Sequence, residues 1–226
     1  MLKIIKNLKQ YQKLPQNEKI YVYLDEKAVQ NTPKNYNNEK LVNLNEITNI
    51  FQYDKNILNY KFRETAAKKL IQVAEKLKKQ GITIEIFELY RSLKKQTKEF
   101  NEIKKQIQEE NPTLTQEEIW EKTTQFIADP SLTPPHCTGG AVDLRLLDKN
   151  GNPLDFGVEI NSVSKKSYLN TKNISKTAQK NRNLLISTML EAEFAPLATE
   201  WWHYSYGDLY WSAFYNQPAL YNVINL

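Results

Sequence analysis

The sequence predicts an α+β fold, in which a single domain is built around a central antiparallel sheet flanked by helices. Strand-like and helical segments alternate along the chain without the regular strand–helix–strand order that produces a parallel sheet. The 226 residues contain neither an internal repeat nor a long linker, and their number suits one domain. Apolar residues make up 40% of the chain and aromatic residues 11%, enough to close a core. We therefore predict one domain over residues 1–226.

The clearest helix and strand signals lie in the middle of the chain. Over residues 63–80 apolar side chains recur every three or four positions, which predicts an amphipathic helix closed by Gly81. The β-branched run 82–90 then predicts a strand that ends at Arg91.

A charged region follows over residues 92–127. It predicts two helices separated at Asn111 and Pro112, the second opened by a capping box of Thr115 and Glu118. Its default interpretation is a solvated helical hairpin, and the alternative is a cover over a binding site.

The remaining elements are shorter. Residues 141–147 and 199–206 predict strands, and residues 183–194 predict a helix. The first 59 residues are polar and Asn-rich, with short strand-like pieces such as 20–24.

Composition excludes several classes of protein. The single cysteine, Cys137, rules out an intramolecular disulfide framework and a Cys-rich zinc site. No stretch approaches the about 20 consecutive apolar residues of a membrane span, so we predict no membrane partner. The N-terminus lacks the apolar core and cleavage site of a secretory signal. We therefore predict a cytoplasmic location, with the periplasm as the open alternative.

The net charge of +5 raises the question of a nucleic-acid partner. The lysines alternate with glutamates along helical stretches, which is typical of solvated helix faces. We therefore predict no nucleic-acid partner.

The first motif with chemical content is 136–143, which follows the proline-rich loop 128–135. It places His136 seven residues before Asp143, with two glycines between them that permit a tight turn. Asp143 interrupts an apolar strand, where an acid is costly unless it is paired or bound to a cation.

The second motif is 199–204, which places Glu200 three residues before His203 among aromatic side chains. Two histidines and Asp143 make a zinc set that leaves one position for water, and Glu200 could take the proton from that water. Residues three apart in a regular strand face opposite sides, so we predict a bulge between Glu200 and His203.

Each motif also has a purely structural interpretation. A histidine in an aromatic segment is more often a hydrogen-bonded core residue than a ligand, and Asp143 could pair with Arg145 or Arg63. Short motifs alone are weak signals. The metal interpretation leads because the only two histidines of the chain both stand near an acid.

Two further residues have alternative roles. Cys137 follows the first histidine, and its interpretations are a fourth zinc ligand or, preferably, a small semi-buried residue. The C-terminal aromatic residues, Tyr210 among them, either line a substrate groove or, preferably, seal the core.

Taken together, the motifs resemble the D-alanyl-D-alanine dipeptidases, zinc metallopeptidases related to the vancomycin-resistance dipeptidases. The resemblance covers residues 60–208, and the first 59 residues match only loosely. The paired Trp before His203 favours the dipeptidases over related D,D-carboxypeptidases, which tend to have Pro-Trp-His there. The matching residues are His136-x-x-Gly139-x-Ala141-x-Asp143, Glu200-Trp201-Trp202-His203, Tyr90-Arg91-Ser92 with Gln96, and the helical Asn181-Arg182-Asn183-Leu184-Leu185.

The resemblance implies a hedgehog/D,D-peptidase-like fold and a role for each matching residue. His136, Asp143 and His203 would bind one Zn²⁺ per chain. Glu200 would be the general base and later the acid that protonates the leaving amine. Arg91 would bind the scissile carbonyl oxygen as negative charge develops on it.

The sequence departs from the family pattern at three positions. Pro134 stands where the family often has Ser, which removes a hydroxyl contact to the substrate. Ser92 replaces the Pro after Arg91. The acid for the substrate's ammonium group has no clear counterpart, and Glu159 is the candidate.

The resemblance therefore implies zinc-dependent hydrolysis of the D-Ala-D-Ala dipeptide of cell-wall metabolism, a small D-amino-acid peptide. One alternative is a D,D-carboxypeptidase or endopeptidase that acts on longer wall peptides. Another is a non-catalytic, zinc-stabilised binding module, although such a module needs neither Glu200 nor Arg91. A basic nucleic-acid-binding domain ranks lowest.

Overall fold

The computed structural model describes residues 2–224. The strands are β1 (Lys3–Ile5), β2 (Val22–Leu24), β3 (Leu41–Asn43), β4 (Gln52–Tyr53), β5 (Lys61–Arg63), β6 (Thr83–Glu88), β7 (Ala141–Leu147), β8 (Ala195–Leu197) and β9 (Glu200–Ser205). The helices are α1 (Leu8–Gln12), α2 (Gln16–Lys19), α3 (Glu26–Val29), α4 (Leu44–Ile47), α5 (Glu64–Lys78), α6 (Leu93–Glu110), α7 (Gln116–Thr123), α8 (Lys176–Glu191) and α9 (Leu209–Tyr215). The α+β class predicted from the sequence is confirmed.

The main sheet has five strands in the order β4-β6-β7-β9-β8. The pairs β6–β7, β7–β9 and β8–β9 are antiparallel, as predicted. The edge strand β4 runs parallel to β6, so the sheet is antiparallel except at that edge. Between these two strands the chain passes through β5 and α5, which provide the long crossover that a parallel pair requires.

Helix α5 packs on this sheet, and its predicted bounds are confirmed to within two residues. Its apolar face is fully buried at Ala66, Leu70 and Leu77, in one cluster with the sheet residues. Burial of each leucine stabilises the fold by about 2 kcal/mol. Gly81 lies just beyond the helix at a φ of 72°, a left-handed conformation that glycine adopts without strain.

The charged region forms the two helices α6 and α7, as predicted. Thr115 and Glu118 form the expected capping box, in which each side chain bonds the other residue's backbone N–H. Within residues 2–224, no helix has both the length and the apolar character needed to cross a membrane.

Helix α8 begins earlier than the sequence pattern indicates. The predicted start was residue 183, but the helix starts at Lys176 after Ser175, whose hydroxyl accepts from the N–H of Ala178. Its first turns are polar, so the apolar periodicity begins late. In this polar part lies Arg182, 1% exposed, which donates to the carbonyl oxygens of Phe156, Tyr168 and Lys166. The helix thereby holds the loop over residues 156–168.

The N-terminal segment, residues 2–34, forms a separate layer. Strands β1 and β2 pair in parallel, and a second apolar cluster joins them to α9 through Leu209 and Ala213. Lys19 Nζ donates to Phe214 O at 2.8 Å, and Tyr23 Oη donates to Thr124 O at 2.8 Å. These contacts fix the segment against both α9 and the end of α7.

Candidate metal centre and its cavity

His136 lies in a short 3₁₀ turn, Pro135–Thr138, that follows the proline-rich loop. The turn ends at Gly139 with a φ of 73°, where a side chain would also meet Leu41. His136 Nδ1 lies 2.8 Å from the carbonyl oxygen of Leu89. A proton on Nδ1 donated to this carbonyl fixes the ring and leaves the Nε2 lone pair free for a metal ion.

Asp143 and His203 lie directly opposite one another on β7 and β9. Opposed residues project on the same face of a sheet, so the two side chains meet. His203 Nε2 lies 3.2 Å from Ser205 Oγ, which orients the ring so that Nδ1 faces Asp143.

The predicted bulge in β9 is confirmed. The consecutive residues Pro196 and Leu197 of β8 pair with Tyr204 and Glu200, so the register shifts between them. This irregularity brings Glu200 to the face of His203, with Glu200 Oε2 3.9 Å from His203 Nδ1.

Three donor atoms form a nearly equilateral triangle. His136 Nε2 is 3.2 Å from His203 Nδ1 and 3.2 Å from Asp143 Oδ1, and the last two atoms are 3.0 Å apart. A tetrahedral zinc ion about 2.0–2.1 Å from each donor needs neighbouring donors about 3.3 Å apart. The three donors therefore fit a tetrahedral zinc ion.

All three residues of the donor triangle are buried, with His136 6% exposed and the other two 4%. Burial raises the pKa of Asp143, but His136 and His203 lower it by more, so it lies well below its usual range. The structural alternatives for Asp143 do not hold, because Arg145 bonds Glu85 at 2.6 Å and Arg63 donates to Thr138 O at 2.8 Å.

Glu200 differs from Asp143 in its electrostatics. Burial raises the pKa of Glu200 to about 7, with Asp143 adding to the rise and His203 and Arg91 opposing it. A carboxyl group with a pKa near neutrality can both accept and release a proton at pH 7.

Arg91 follows β6 directly and reaches the same space. Its Nη1 bonds Gln96 Oε1 at 3.1 Å and Glu99 at 3.2 Å, and its Nη2 lies 3.4 Å from Glu88. Burial lowers the pKa of Arg91, and Glu88 and Glu99 raise it by more, so the guanidinium stays charged. Its buried Nε has no hydrogen-bond partner among residues 2–224, so one donor is free for a ligand.

Comparison with known proteins finds a family whose model matches this chain. The family model described as D-ala-D-ala dipeptidase, Peptidase M15, matches residues 35–223, most of the chain. The chain belongs to this family. The resemblance inferred from the motifs is thereby confirmed.

Individual relatives from the D-ala-D-ala dipeptidase family match shorter stretches of this chain. A D-alanyl-D-alanine dipeptidase of Synechocystis is 38% identical over 100 residues, which are 39% of this chain and 40% of that protein. A D-alanyl-D-alanine dipeptidase of Escherichia coli is 32% identical over 95 residues, which are 41% and 49% of the two chains. The chain thus aligns with half or less of the length of these curated relatives.

Solved structures show a more distant likeness. VanYB in complex with D-alanine-D-alanine has a TM-score of 0.49 and 14% identity, over 83% of this chain and 88% of that one. A vancomycin-resistance D,D-pentapeptidase in complex with Zn(II) has a TM-score of 0.46 and 15% identity, over 83% and 90%. These scores are too low to assign a fold or an activity.

The donor triangle opens onto a cavity of about 320 Å³. Glu200 and Arg91 line it together with His136, Asp143 and His203, so the structure brings these five predicted residues into one space. Helix α6 and the residues after α7 contribute residues to its lining, among them Gln96, Glu99 and Phe126.

Two residues considered from the sequence lie elsewhere. The structure does not place Glu159 in the cavity, because its side chain is 88% exposed and lies 3.5 Å from Arg145 Nη1. Cys137 is fully buried, and burial raises the pKa of its thiol to about 12. Cys137 is not part of the donor cluster found in residues 2–224.

Other residues of the cavity had no signal in the sequence. Glu88 and Glu99 surround Arg91, and Glu26, Tyr23 and Tyr210 line the cavity from the N-terminal layer and α9. Only the tertiary structure brings these residues to the site. Tyr210 lines the cavity and also packs against the second apolar cluster, whereas Tyr206, Trp211 and Phe214 are buried in the main core, as the preferred interpretation expects.

Proposed function

We propose that the protein hydrolyses the D-Ala-D-Ala dipeptide with one zinc ion per chain. The observation that carries this proposal is the triangle of His136, Asp143 and His203 donor atoms, with Glu200 beside it in one small cavity. Membership of the D-ala-D-ala dipeptidase family and the names of its relatives support the choice of substrate.

His136 Nε2, Asp143 Oδ1 and His203 Nδ1 would hold the metal. A bound Zn²⁺ supplies a Lewis acid that polarises the scissile carbonyl and lowers the pKa of water. The protein fixes the direction of both imidazole rings through Leu89 O and Ser205 Oγ, so the donors need little rearrangement on metal binding.

Glu200 acts as general base and then as general acid. Its carboxylate stands 3.9 Å from His203 Nδ1, beside the open face of the ligand triangle. There it accepts the proton of the attacking water and passes it to the amine of the departing D-alanine. A pKa near 7 suits both transfers.

Arg91 stabilises the developing negative charge. Its guanidinium is held by Glu88, Gln96 and Glu99, so it is oriented before the substrate arrives. A fixed charge in a buried cavity stabilises an oxyanion more strongly than a solvated one, because the dielectric response is weak there. Its free Nε is the donor available to the substrate carbonyl.

The test is release of D-alanine from D-Ala-D-Ala. We expect release from the zinc-loaded protein, and a loss of at least 10³-fold after chelation or in Glu200→Gln. Glu109→Gln is the matched control, since Glu109 is an exposed α6 carboxylate whose side chain is 67% exposed.

Failure of the folded, zinc-loaded protein to release D-alanine would contradict the dipeptidase proposal. A D-Ala-D-Ala-terminated pentapeptide measured in parallel separates the alternative, because a carboxypeptidase would cleave it in preference to the free dipeptide. If neither peptide is cleaved while zinc still raises the melting temperature, the binding-module alternative is supported.

A further inference from the structure

Arg91 differs from the other arginines of the chain in the way its guanidinium is held. The other three, Arg63, Arg145 and Arg182, each donate a hydrogen bond from Nε. The Nε of Arg91 is buried and has no hydrogen-bond partner within residues 2–224. The direction in which this free donor points therefore depends on the contacts of the two Nη atoms.

Among the contacts of these Nη atoms, the one with Gln96 is the most directional. Glu88 and Glu99 lie 3.4 Å and 3.2 Å from the guanidinium, but both acids are also paired with Lys95. Each carboxylate is thus divided between two cations. Gln96 is 1% exposed, and its Oε1 accepts from Arg91 Nη1 at 3.1 Å. A carboxamide oxygen accepts close to its own plane, so the orientation of Gln96 determines that of the guanidinium.

The orientation of Gln96 is set in turn by a backbone carbonyl. Gln96 Nε2 donates to Ala128 O at 2.7 Å. A carbonyl oxygen only accepts, so the carboxamide nitrogen must face Ala128 and the carboxamide oxygen must face Arg91. Ala128 and Asp129 belong to no helix or strand, so no ladder of backbone hydrogen bonds fixes the peptide group between them. Another contact has to fix its direction.

That contact is made by Glu26. The N–H of Asp129 belongs to the same peptide group as Ala128 O, and it donates to Glu26 Oε2 at 3.0 Å. Glu26 is 4% exposed, and its second oxygen, Oε1, accepts from Tyr210 Oη at 3.3 Å. The N–H and C=O of a trans peptide group point in opposite directions, so one peptide group connects Glu26 with Gln96.

We propose that Glu26 is a positioning residue for Arg91, acting through the peptide group 128–129 and Gln96. Hydrogen bonds in such a series polarise one another, so loss of the first one weakens the others. Glu26 lies on α3, outside the residues 35–223 that match the family, so this contribution comes from the N-terminal layer. The inference rests on the proposed function only where it concerns the role of Arg91 in hydrolysis.

Two substitutions of Glu26 separate its acceptor oxygen from its charge. Glu26→Met keeps the length of the side chain and removes the acceptor, so the series of hydrogen bonds is interrupted at its start. Glu26→Gln keeps an acceptor oxygen and resembles the protonated carboxyl group, which prevails at neutral pH because burial raises the pKa of Glu26 to about 8. Lys19→Met is the matched control, since Lys19 is a buried residue of the same layer that donates to Phe214 O at 2.8 Å and does not line the cavity.

The first measurement follows the guanidinium without any reaction. The chain has four arginines, so the Arg91 Nε–H is one of four such signals in a ¹⁵N NMR spectrum, and the Arg91→Lys spectrum assigns it. We expect its order parameter to lie near the rigid value of about 0.85 in the unmodified protein, in Glu26→Gln and in Lys19→Met, and to fall below about 0.6 in Glu26→Met. The Nε–H of Arg145 is the internal reference and is expected to stay unchanged in all four proteins.

The second measurement is steady-state hydrolysis of D-Ala-D-Ala. We expect Glu26→Met to lower kcat at least fivefold with KM within twofold, because Arg91 acts on the developing oxyanion rather than on the bound substrate. Glu26→Gln is expected to restore kcat to within twofold, and Lys19→Met to lower only the melting temperature. In a Gln96→Met background, Glu26→Met is expected to have no further effect on kcat, because the series of hydrogen bonds is already broken.

The inference is overturned if the Arg91 Nε–H stays rigid in Glu26→Met, or if Glu26→Gln or Lys19→Met loosens it as much. A rise in KM with unchanged kcat also overturns it, because Glu26 would then act on substrate binding. If Glu26→Met does not fold, Glu26→Ala replaces it under the same criteria.

The two measurements distinguish failure of the inference from failure of the proposed function. A mobile Arg91 Nε–H in Glu26→Met, together with no D-alanine release by the unmodified protein, supports the positioning role and rejects the proposed function alone. D-alanine release by the unmodified protein, together with a rigid Arg91 Nε–H in Glu26→Met, rejects the positioning role alone.

Discussion

Two buried carboxylates of the cavity, Asp143 and Glu26, have opposite electrostatic environments. Each is 4% exposed. The histidines beside Asp143 hold its pKa well below the usual range, whereas burial raises the pKa of Glu26 to about 8. The difference shows that burial alone does not decide the charge of an acid, because the partners provided by the fold do.

The two acids also belong to different layers of the molecule. Asp143 lies in the central strand β7, and its neighbours come from the adjacent strand and from the turn before it. Glu26 lies on a four-residue helix of the N-terminal layer. The sheet thus provides the donor triangle, and the N-terminal layer provides a second buried acid of the same cavity.

Removal of the sheet acid has the largest expected effect. Asp143→Ala leaves two histidines of the donor triangle and removes the only anionic ligand. We expect zinc affinity to fall by at least 10³-fold and D-alanine release to become undetectable, because a two-ligand site holds zinc weakly. Zinc affinity is measured by competition with a chromophoric chelator.

Asp25→Ala provides the control for this change, since Asp25 is a half-buried acid that caps α3 outside the cavity. It is expected to lower stability by about 1 kcal/mol and to keep zinc affinity. Equal loss of zinc affinity in both variants would contradict the assignment of Asp143 as a ligand.

The second prediction concerns Arg91, which lines the same cavity as the donor triangle. Arg91→Lys keeps a positive charge but loses the planar group that contacts Glu88, Gln96 and Glu99. We expect kcat/KM to fall about 10²-fold, mainly through kcat, because the lost contact forms on the developing oxyanion. Steady-state kinetics on D-Ala-D-Ala measures both constants.

Arg145→Lys is the matched substitution for Arg91→Lys. Arg145 bonds Glu85 on the same sheet and does not line the cavity. It is expected to change kcat/KM by less than twofold. If Arg91→Lys raised KM and left kcat unchanged, Arg91 would bind the ground state and the oxyanion role would be wrong.

The same contrast explains how much of the site could be predicted from the sequence. His136, Asp143 and His203 stand in compact motifs, and the chain has no other histidines, so local sequence identifies them. The bulge near Glu200 followed from the two-residue period of a strand and is confirmed. Glu26 stands in a polar, Asn-rich segment with no periodic pattern. Its place in the cavity depends on contacts with residues about 100 positions away.

The fold shows the same division between local and long-range information. Helix α5 was predicted almost to the residue because its apolar period is complete. The parallel strand β4 has two residues and carries no pattern of its own, so only its partner β6 defines it. The early start of α8 did have a signal, the N-cap Ser175, but the polar turns around Arg182 concealed it.

The smallest expected effect is the pH dependence of stability caused by Glu26. Its folded pKa of about 8 lies above the ordinary value of 4.5, so the unfolded chain loses this proton first as the pH rises. The contribution of Glu26 to stability is therefore fully present below pH 4.5 and is lost as the pH rises through about 8. The groups that face it are Asp25, Asp129, Tyr23 and Tyr210.

Glu26→Gln removes the titration and keeps a similar shape. We expect the melting temperature of the unmodified protein to fall more steeply between pH 5 and pH 8 than that of the variant. The difference at pH 8 corresponds to about 1–3 kcal/mol. If the melting temperatures of the two proteins depend on pH in the same way, Glu26 has an ordinary pKa. A cation partner then already neutralises its environment.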